Sequence, residues 1–394
     1  MCFHLKLRQS TSCRKRTIMP VSDQSVPRYS YFLSELAGSA GNFGTVLPLL
    51  FAVSVSCGMN ISLMLLWAAA WYIITGLYYR IPIPVEPLKA VGAIAIAESV
   101  TPHLIAASGI VMGIICLCIG FFGWMDRVRQ IIPEPVIRGV QLGLALIFIK
   151  SAIPGFILPD IPFALISVGI VAGFLISTRF VKIPDLSALT IIISGFIVAF
   201  LSAGFPTFIS IPVPNLQIPS PEDFFNATIH FVPPQLPLTL TNAILATSLL
   251  AHDLFKREMN PDKICKTVGM MSLSASLFGG FPMCHGAGGL AAHYRFGARG
   301  GLSLILGGIL LFLIGILCAD PEITDALPVG MFGVLLIVVA VELAKHGLKT
   351  DNYWITGLIA VLAVLFGLAI GFCAGLILAW ILIYRKEHLK TRQQ

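Results

Sequence analysis

A chain of 394 residues that is 57% hydrophobic and only 11% charged cannot coat a water-facing surface, because soluble domains carry about 25% Asp, Glu, Lys and Arg. Its formal charge of +7 comes from short Lys/Arg clusters between apolar runs, which excludes the continuous basic face of a nucleic-acid binder and fits membrane topology. The nine cysteines are scattered, mostly in apolar segments (Cys57, Cys116, Cys118, Cys318, Cys373), without zinc spacing; they read as small buried hydrophobes, and no metal or cofactor is expected.

Residues 1–30 hold Lys6, Arg8, Arg14, Lys15, Arg16 and Arg28 but no apolar stretch of signal-peptide type, so they are expected to form a cytoplasmic tail, the first span serving as insertion signal. Crossing the ~30 Å hydrocarbon layer takes roughly 20 apolar residues. Apolar runs bounded by charge, Pro and Gly predict seven spans, at 32–55, 61–79, 84–99, 102–124, 134–152, 161–180 and 185–204. A linker over 205–235, rich in Pro and free of Lys and Arg, is expected to be irregular and extracellular. Seven more spans follow, at 236–255, 263–280, 283–297, 299–319, 326–345, 352–369 and 370–385, with a cytoplasmic tail over 386–394.

With the N-terminus inside, the basic residues Arg80, Arg127, Arg129, Arg179, Lys182, Lys256 to Lys266, Arg295, Arg299, Lys345, Lys349 and the tail from Arg385 to Arg392 all fall on the cytoplasmic side. Asp320, Glu322 and Asp325 fall opposite. The expectation is an all-α integral membrane protein of about 14 segments, residues 31–204 and 236–385 forming two sets of seven. An odd number per set inverts the second set relative to the first, a plan that recurs in secondary transporters.

Two spans cannot be regular helices. Pro82, Pro84 and Pro87 remove backbone donors and push their predecessors toward extended geometry, so span three should be extended to about Val85 and helical from about Glu86 to Glu98, near 20 Å long and too short to cross alone. Span ten opens on Pro282 and runs through Gly286, Gly288 and Gly289, so its helix also starts at membrane depth, where irregular backbone survives only against protein or a watery cavity. Helix N-termini present free N–H groups and about half a positive charge. Two of them facing each other would suit a dianion.

Glu35 to Pro48 (ELAGSAGNFGTVLP), Pro82 to Ala90 (PIPVEPLKA), Gln235 to Asn242 (QLPLTLTN) and Pro282 to Gly300 (PMCHGAGGLAAHYRFGARG) together resemble the molybdate transporter family, a relative of the sulfate permeases. The resemblance implies a core and a gate domain, with substrate between spans three and ten, and no C-terminal cytoplasmic domain. Related permeases imply a homodimer. Asn42 and Glu86 depart from the family's usual Asp and Gln, so one carboxylate is lost and another gained.

The substrate-binding candidates are therefore Asn42, Thr45, Val85, Glu86, Lys89, Gln235, Thr241, Asn242, Cys284, His285, Gly286, Ala287 and Gly288. Glu86 and His285 are the proton-coupling candidates, since a neutral-pH imidazole and a membrane carboxylate both carry protons. Lys89, three residues after Glu86, either pairs with it or contacts the anion; His285 either serves substrate or bonds a backbone carbonyl. Arg138 and Lys150 are expected to snorkel from the ends of span five, and Glu342 to pair with Lys345 or Lys349.

The expected activity is import of a tetrahedral oxyanion, molybdate first and sulfate or tungstate as alternatives, by alternating access with proton coupling. A nucleobase carrier of the same architecture, a membrane-embedded enzyme and a passive channel are the competing classes. No GxxxxGK[ST] loop is present. Cys284 and His285 as nucleophile and base would point about 100° apart on a helix, with no third group to orient them.

Overall fold

The computed structural model describes residues 28–128, 133–180, 187–204 and 212–391. The basic residues before Arg28, together with Arg129, Lys182 and Arg392, lie outside the described residues, as does the linker segment 205–211. Helices α1 (Arg28–Ser39) and α2 (Phe43–Cys57) are followed by α3 (Ile61–Tyr79), a two-residue strand β1 (Glu86–Pro87), α4 (Lys89–Glu98), α5 (Pro102–Phe122), α6 (Glu134–Ala152), α7 (Ile161–Phe180) and α8 (Ser187–Ala203). The second set comprises the helical run α9 (Pro221–Phe255), α10 (Pro261–Leu277), β2 (Met283–Cys284), α11 (Ala287–Arg295), α12 (Leu302–Leu317), α13 (Val329–Gly347), α14 (Tyr353–Phe366) and α15 (Leu368–Thr391). Among the described residues, six helical runs are long and apolar enough to cross a membrane, and shorter apolar helices accompany them. The protein is a multi-pass membrane protein.

Local signals set many of the boundaries. The Asn60 side chain accepts from Leu63 N at 3.0 Å to open α3, Thr101 accepts from Leu104 N with Pro102 in the first turn of α5, and Asn352 caps α14, each meeting a donor that the first helical turn leaves unpaired. Gly58 and Gly123 close α2 and α5 in the left-handed region.

Two elements differ from the sequence expectation. Span one is not a single rod: residues 40–42 form a turn between α1 and α2. There Gly41 lies so close to the His293 backbone that a Cβ would come within 2.9 Å of it, so the turn seats the first span directly on α11. The second difference is in the linker, whose residues 221–235 are helical. The run α9 starts at Pro221 behind a Ser220–Asp223 capping box and passes through two wide π turns, Ala227–Phe231 and Thr239–Leu245. Pro233, Pro234 and Pro237 withhold N–H donors there, and the helix widens instead of stopping.

Two bodies result. In one, α3 packs on α12 and α5 on α10, around α2, α4, α9 and α11; in the other, α6 packs on α13 and α14, with α7, α8 and α15 alongside. Exchanging each span for the one seven places later turns the α3–α12 contact into the α10–α5 contact and maps the α6–α13 and β1–β2 pairs onto themselves. The chain is thus a 7+7 fold whose second set is inverted relative to the first, with the two broken spans on the pseudo-twofold axis.

Candidate functional site

The site grows from the strand pair. Glu86 faces Cys284 and Pro87 faces Met283 in antiparallel register, and Leu88 N donates to Pro282 O at 3.0 Å. Extended backbone buried at membrane depth needs partners for its polar groups, and each broken span supplies them to the other. The pairing delays the first helix: α4 starts at Lys89, not at Glu86, because Glu86 and Pro87 belong to the strand. The start of α11 follows two residues after β2, so both half-helices open beside the same junction.

Each half-helix N-terminus already holds a protein acceptor. Gln235 Oε1, from α9, accepts from Ala90 N at 2.8 Å and Val91 N at 3.3 Å, while its Nε2 donates to Thr239 Oγ1 at 2.9 Å. Glu86 Oε1 accepts from Gly289 N at 3.1 Å, and Oε2 lies 2.7 Å from Lys89 Nζ. The carboxylate is therefore an N-terminal anion for α11 as well as a partner for Lys89. Gly289 allows this seat: a Cβ there would collide with Glu86 and meet Asn42 Cγ at 2.9 Å. At the tip of α11, Ala287 is half-buried and Gly288 exposed; their amides have no protein acceptor among the described residues, and nothing lies within 4 Å of where a Gly288 Cβ would be.

Beside this junction lies a small pocket with a cavity volume of about 20 Å³, room for about one water molecule in this state. Six of the sequence candidates meet there or at its wall: Glu86, Lys89, Gln235, Asn242, Cys284 and His285. Asn42 stands behind Glu86, buried, and donates to Val85 O at 3.4 Å. Gly286 is the cap residue of α11.

Other candidates are placed differently. Thr45, half-buried one turn into α2, is not on the pocket wall. The Thr241 hydroxyl donates to Pro237 O at 2.7 Å within its own helix, so it is Thr239, already bonded to Gln235, that joins the network. His285 has both ring nitrogens engaged. Nδ1 donates to Pro84 O at 2.7 Å, which leaves Nε2 to accept from Thr267 Oγ1 at 2.8 Å, and Tyr79 OH lies 2.6 Å beyond. Its imidazole ties spans two, three, nine and ten together.

Sequence reasoning missed the gate-side wall, formed by Gln141 and Leu144 of α6 and Leu343 of α13, and missed Leu238 and Ala243 of α9. Gln141, a buried polar residue within an apolar span, was the available signal. Arg138 beside it bonds Glu134 at 2.8 Å and Gln141 at 3.4 Å and so is paired in place, and Lys150 Nζ reaches Val364 O at 3.5 Å. Glu342 lies 3.9 Å from Lys345 and 3.3 Å from His346. Glu35, fully buried, accepts from Arg299 N, Gly300 N and Ser303 N at 2.7–2.9 Å and fixes the N-terminal part of span one to the start of α12. No cluster of metal-ligating side chains exists among the described residues.

Comparison with known proteins identifies the family and the fold. The family described as "Molybdate transporter of MFS superfamily" matches residues 34–148 and 227–343, one stretch in each set of seven. Molybdate transporter 2 of Arabidopsis thaliana is 31% identical over 89% of this chain and 88% of its own length. The fold resembles the transmembrane domain of a cyanobacterial bicarbonate transporter (TM-score 0.65, 17% identity, 89% of this chain and 98% of that one). It also resembles a murine Solute Carrier 26 family anion transporter, member A9, in its inward-facing state (TM-score 0.68, 14% identity, 92% of this chain and 70% of that one). The chain is an oxyanion-type transporter and not an enzyme; on the extent of the match, it belongs to the molybdate transporter family.

Proposed function

We propose that the protein is a secondary transporter that imports molybdate by alternating access with proton coupling, both termini lying in the cytoplasm. The observation that carries this reading is the meeting of two half-helix N-termini beside Lys89, at a pocket between two separately packed bodies. Free amides at a helix tip and one ammonium group can strip and replace part of an oxyanion's hydration shell. Because much of the counter-charge is dipolar, the site can be assembled on one side and dispersed on the other as the bodies rock.

In this mechanism Lys89 and the amides of Ala287 and Gly288 contact the anion, Gln235 and Asn42 hold the two broken spans in register, and Asn242, with Gln141 across the pocket, offers side-chain donors. Glu86 carries the coupling proton, because His285 spends both nitrogens on the scaffold. Described basic residues such as Arg80, Arg257, Lys263, Arg299 and Lys345 occupy the loops and helix ends assigned to the cytoplasm, which supports the orientation.

The test is uptake into proteoliposomes of purified protein, with molybdate as substrate and sulfate, tungstate and uracil as competitors. Saturable molybdate uptake that is stimulated by an inward proton gradient, abolished by an uncoupler and unaffected by uracil is expected. Uptake that uracil blocks and molybdate does not would overturn the substrate assignment; uptake indifferent to pH and uncoupler would overturn the coupling.

A further inference from the structure

We propose that Glu86 is a tethered competitor of the transported oxyanion, holding Lys89 and the tip of α11 until a proton from solvent releases them. This rests on the reading of the pocket as an oxyanion site. A carboxylate presents two oxygens much as one edge of a tetrahedral oxyanion does, and Glu86 sets its two oxygens on the two kinds of donor that such an anion would seek: an ammonium at 2.7 Å and a half-helix amide at 3.1 Å. Both side chains line the pocket, that of Glu86 only 2% exposed and that of Lys89 20% exposed. Lys89, the more exposed of the two, can therefore turn toward an incoming ligand while Glu86 keeps its seat on Gly289 N.

Charge decides the order of events. With Glu86 ionised, a dianion entering the pocket would share one cation with a carboxylate close by, and the like charges would repel in a setting where screening is weak. When a proton from the solvent adds to a Glu86 oxygen, the carboxyl turns neutral, Lys89 keeps its charge, and its ammonium is free for the anion. Deprotonation on the other side reverses the exchange and expels the cargo. One proton then accompanies each anion because both claims fall on the same lysine.

The groups facing Glu86 are Lys89 on its own segment, Asn42 from the turn before α2, Tyr72 from α3, Cys284 and His285 from the strand segment of span ten, and His293 from α11. Lys89 is the cation among them. His293 donates through Nδ1 to Gly38 O at 2.7 Å, and its Nε2 has no partner among the described residues; it is the alternative seat for a proton, and the test separates the two.

Molybdate binding to purified protein would be measured by calorimetry from about pH 6 to about pH 8.5, for wild type and for Glu86→Gln. Since apparent affinity scales with the fraction of protein in the competent state, wild-type affinity should strengthen as pH falls, by up to about tenfold per unit. Glu86→Gln, whose amide oxygen can still accept from Gly289 N, should bind about tenfold or more tighter than wild type at the alkaline end and show no pH dependence. Wild-type binding that is flat with pH would overturn the competition while leaving the oxyanion site standing. A pH dependence that survives in Glu86→Gln would also overturn it and move the proton to His293. Failure of wild type to bind molybdate at any pH would refute the functional reading itself.

Discussion

Removing one partner of the Glu86–Lys89 pair should cost far more than removing both. Lys89→Met keeps an apolar stem of similar length but leaves the Glu86 carboxylate buried, with Gly289 N as its remaining hydrogen-bond donor among the described residues. At 2.7 Å the gross attraction is about 6 kcal/mol for an effective dielectric constant of 20, most of it offset by desolvation of the two charges. Breaking such a pair from one side typically costs about 3–5 kcal/mol, whereas replacing both members with neutral residues is often close to neutral. Denaturant titration in detergent micelles, with all four members of the Glu86→Gln/Lys89→Met cycle, would measure this. The expected result is a Lys89→Met variant destabilised by about 3–5 kcal/mol, with at least about 2 kcal/mol recovered in the double variant. A Lys89→Met protein as stable as wild type, or a double variant showing simple additivity, would refute the claim that the pair is a coupled, buried unit.

Further substitutions probe the surrounding scaffold. Lys89→Ala should weaken molybdate binding by about ten- to one-hundred-and-fifty-fold, the loss of one charge-assisted hydrogen bond of about 1.5–3 kcal/mol, as read by calorimetry. Gln235→Leu strips the acceptor from Ala90 N and Val91 N; at about 1–3 kcal/mol per buried unpaired donor it should lower stability and uptake together, while Thr241→Val should do neither, since its hydroxyl bonds only within its own helix. Gly289→Ala would drive a methyl into Glu86 and Asn42 and should abolish uptake. Gly288→Ala, whose methyl meets open space, should fold normally and reveal by its molybdate affinity how closely the anion approaches that amide.

Composition and proline placement made much of this architecture legible. Charge-bounded apolar runs located most spans within a few residues, span eight excepted because its helix already begins at Pro221, since a membrane fixes helix length and loop charge more tightly than water does. Pro82, Pro84, Pro87 and Pro282 revealed the two broken spans, since missing donors are a local property of the chain. What stayed hidden depends on contacts distant in sequence. The turn at residues 40–42 contains no proline and is set by the approach of Gly41 to α11. Pro237 reads locally as a helix breaker, yet it lies inside the helical segment Val232–Leu238 and the π turn follows at Thr239–Leu245. The engagement of Glu86 with Gly289, more than 200 residues away, could not be read from the carboxylate alone; its spacing from Lys89 gave only one of its two partners. Gln141 carries no charge and sits one turn from Arg138, so only its burial against the pocket, a tertiary property, marks it out.

The most direct test of the central claim is the position of the anion itself. A structure of the purified protein with tungstate bound, the heavy atom located by its scattering, should place the metal within about 4–5 Å of Lys89 Nζ and of the first amides of α11, hydrogen-bonded contacts of about 2.7–2.9 Å separating oxygen from nitrogen. Density at a different location in the membrane domain, with Lys89 still on Glu86 and the tip of α11 untouched, would contradict it.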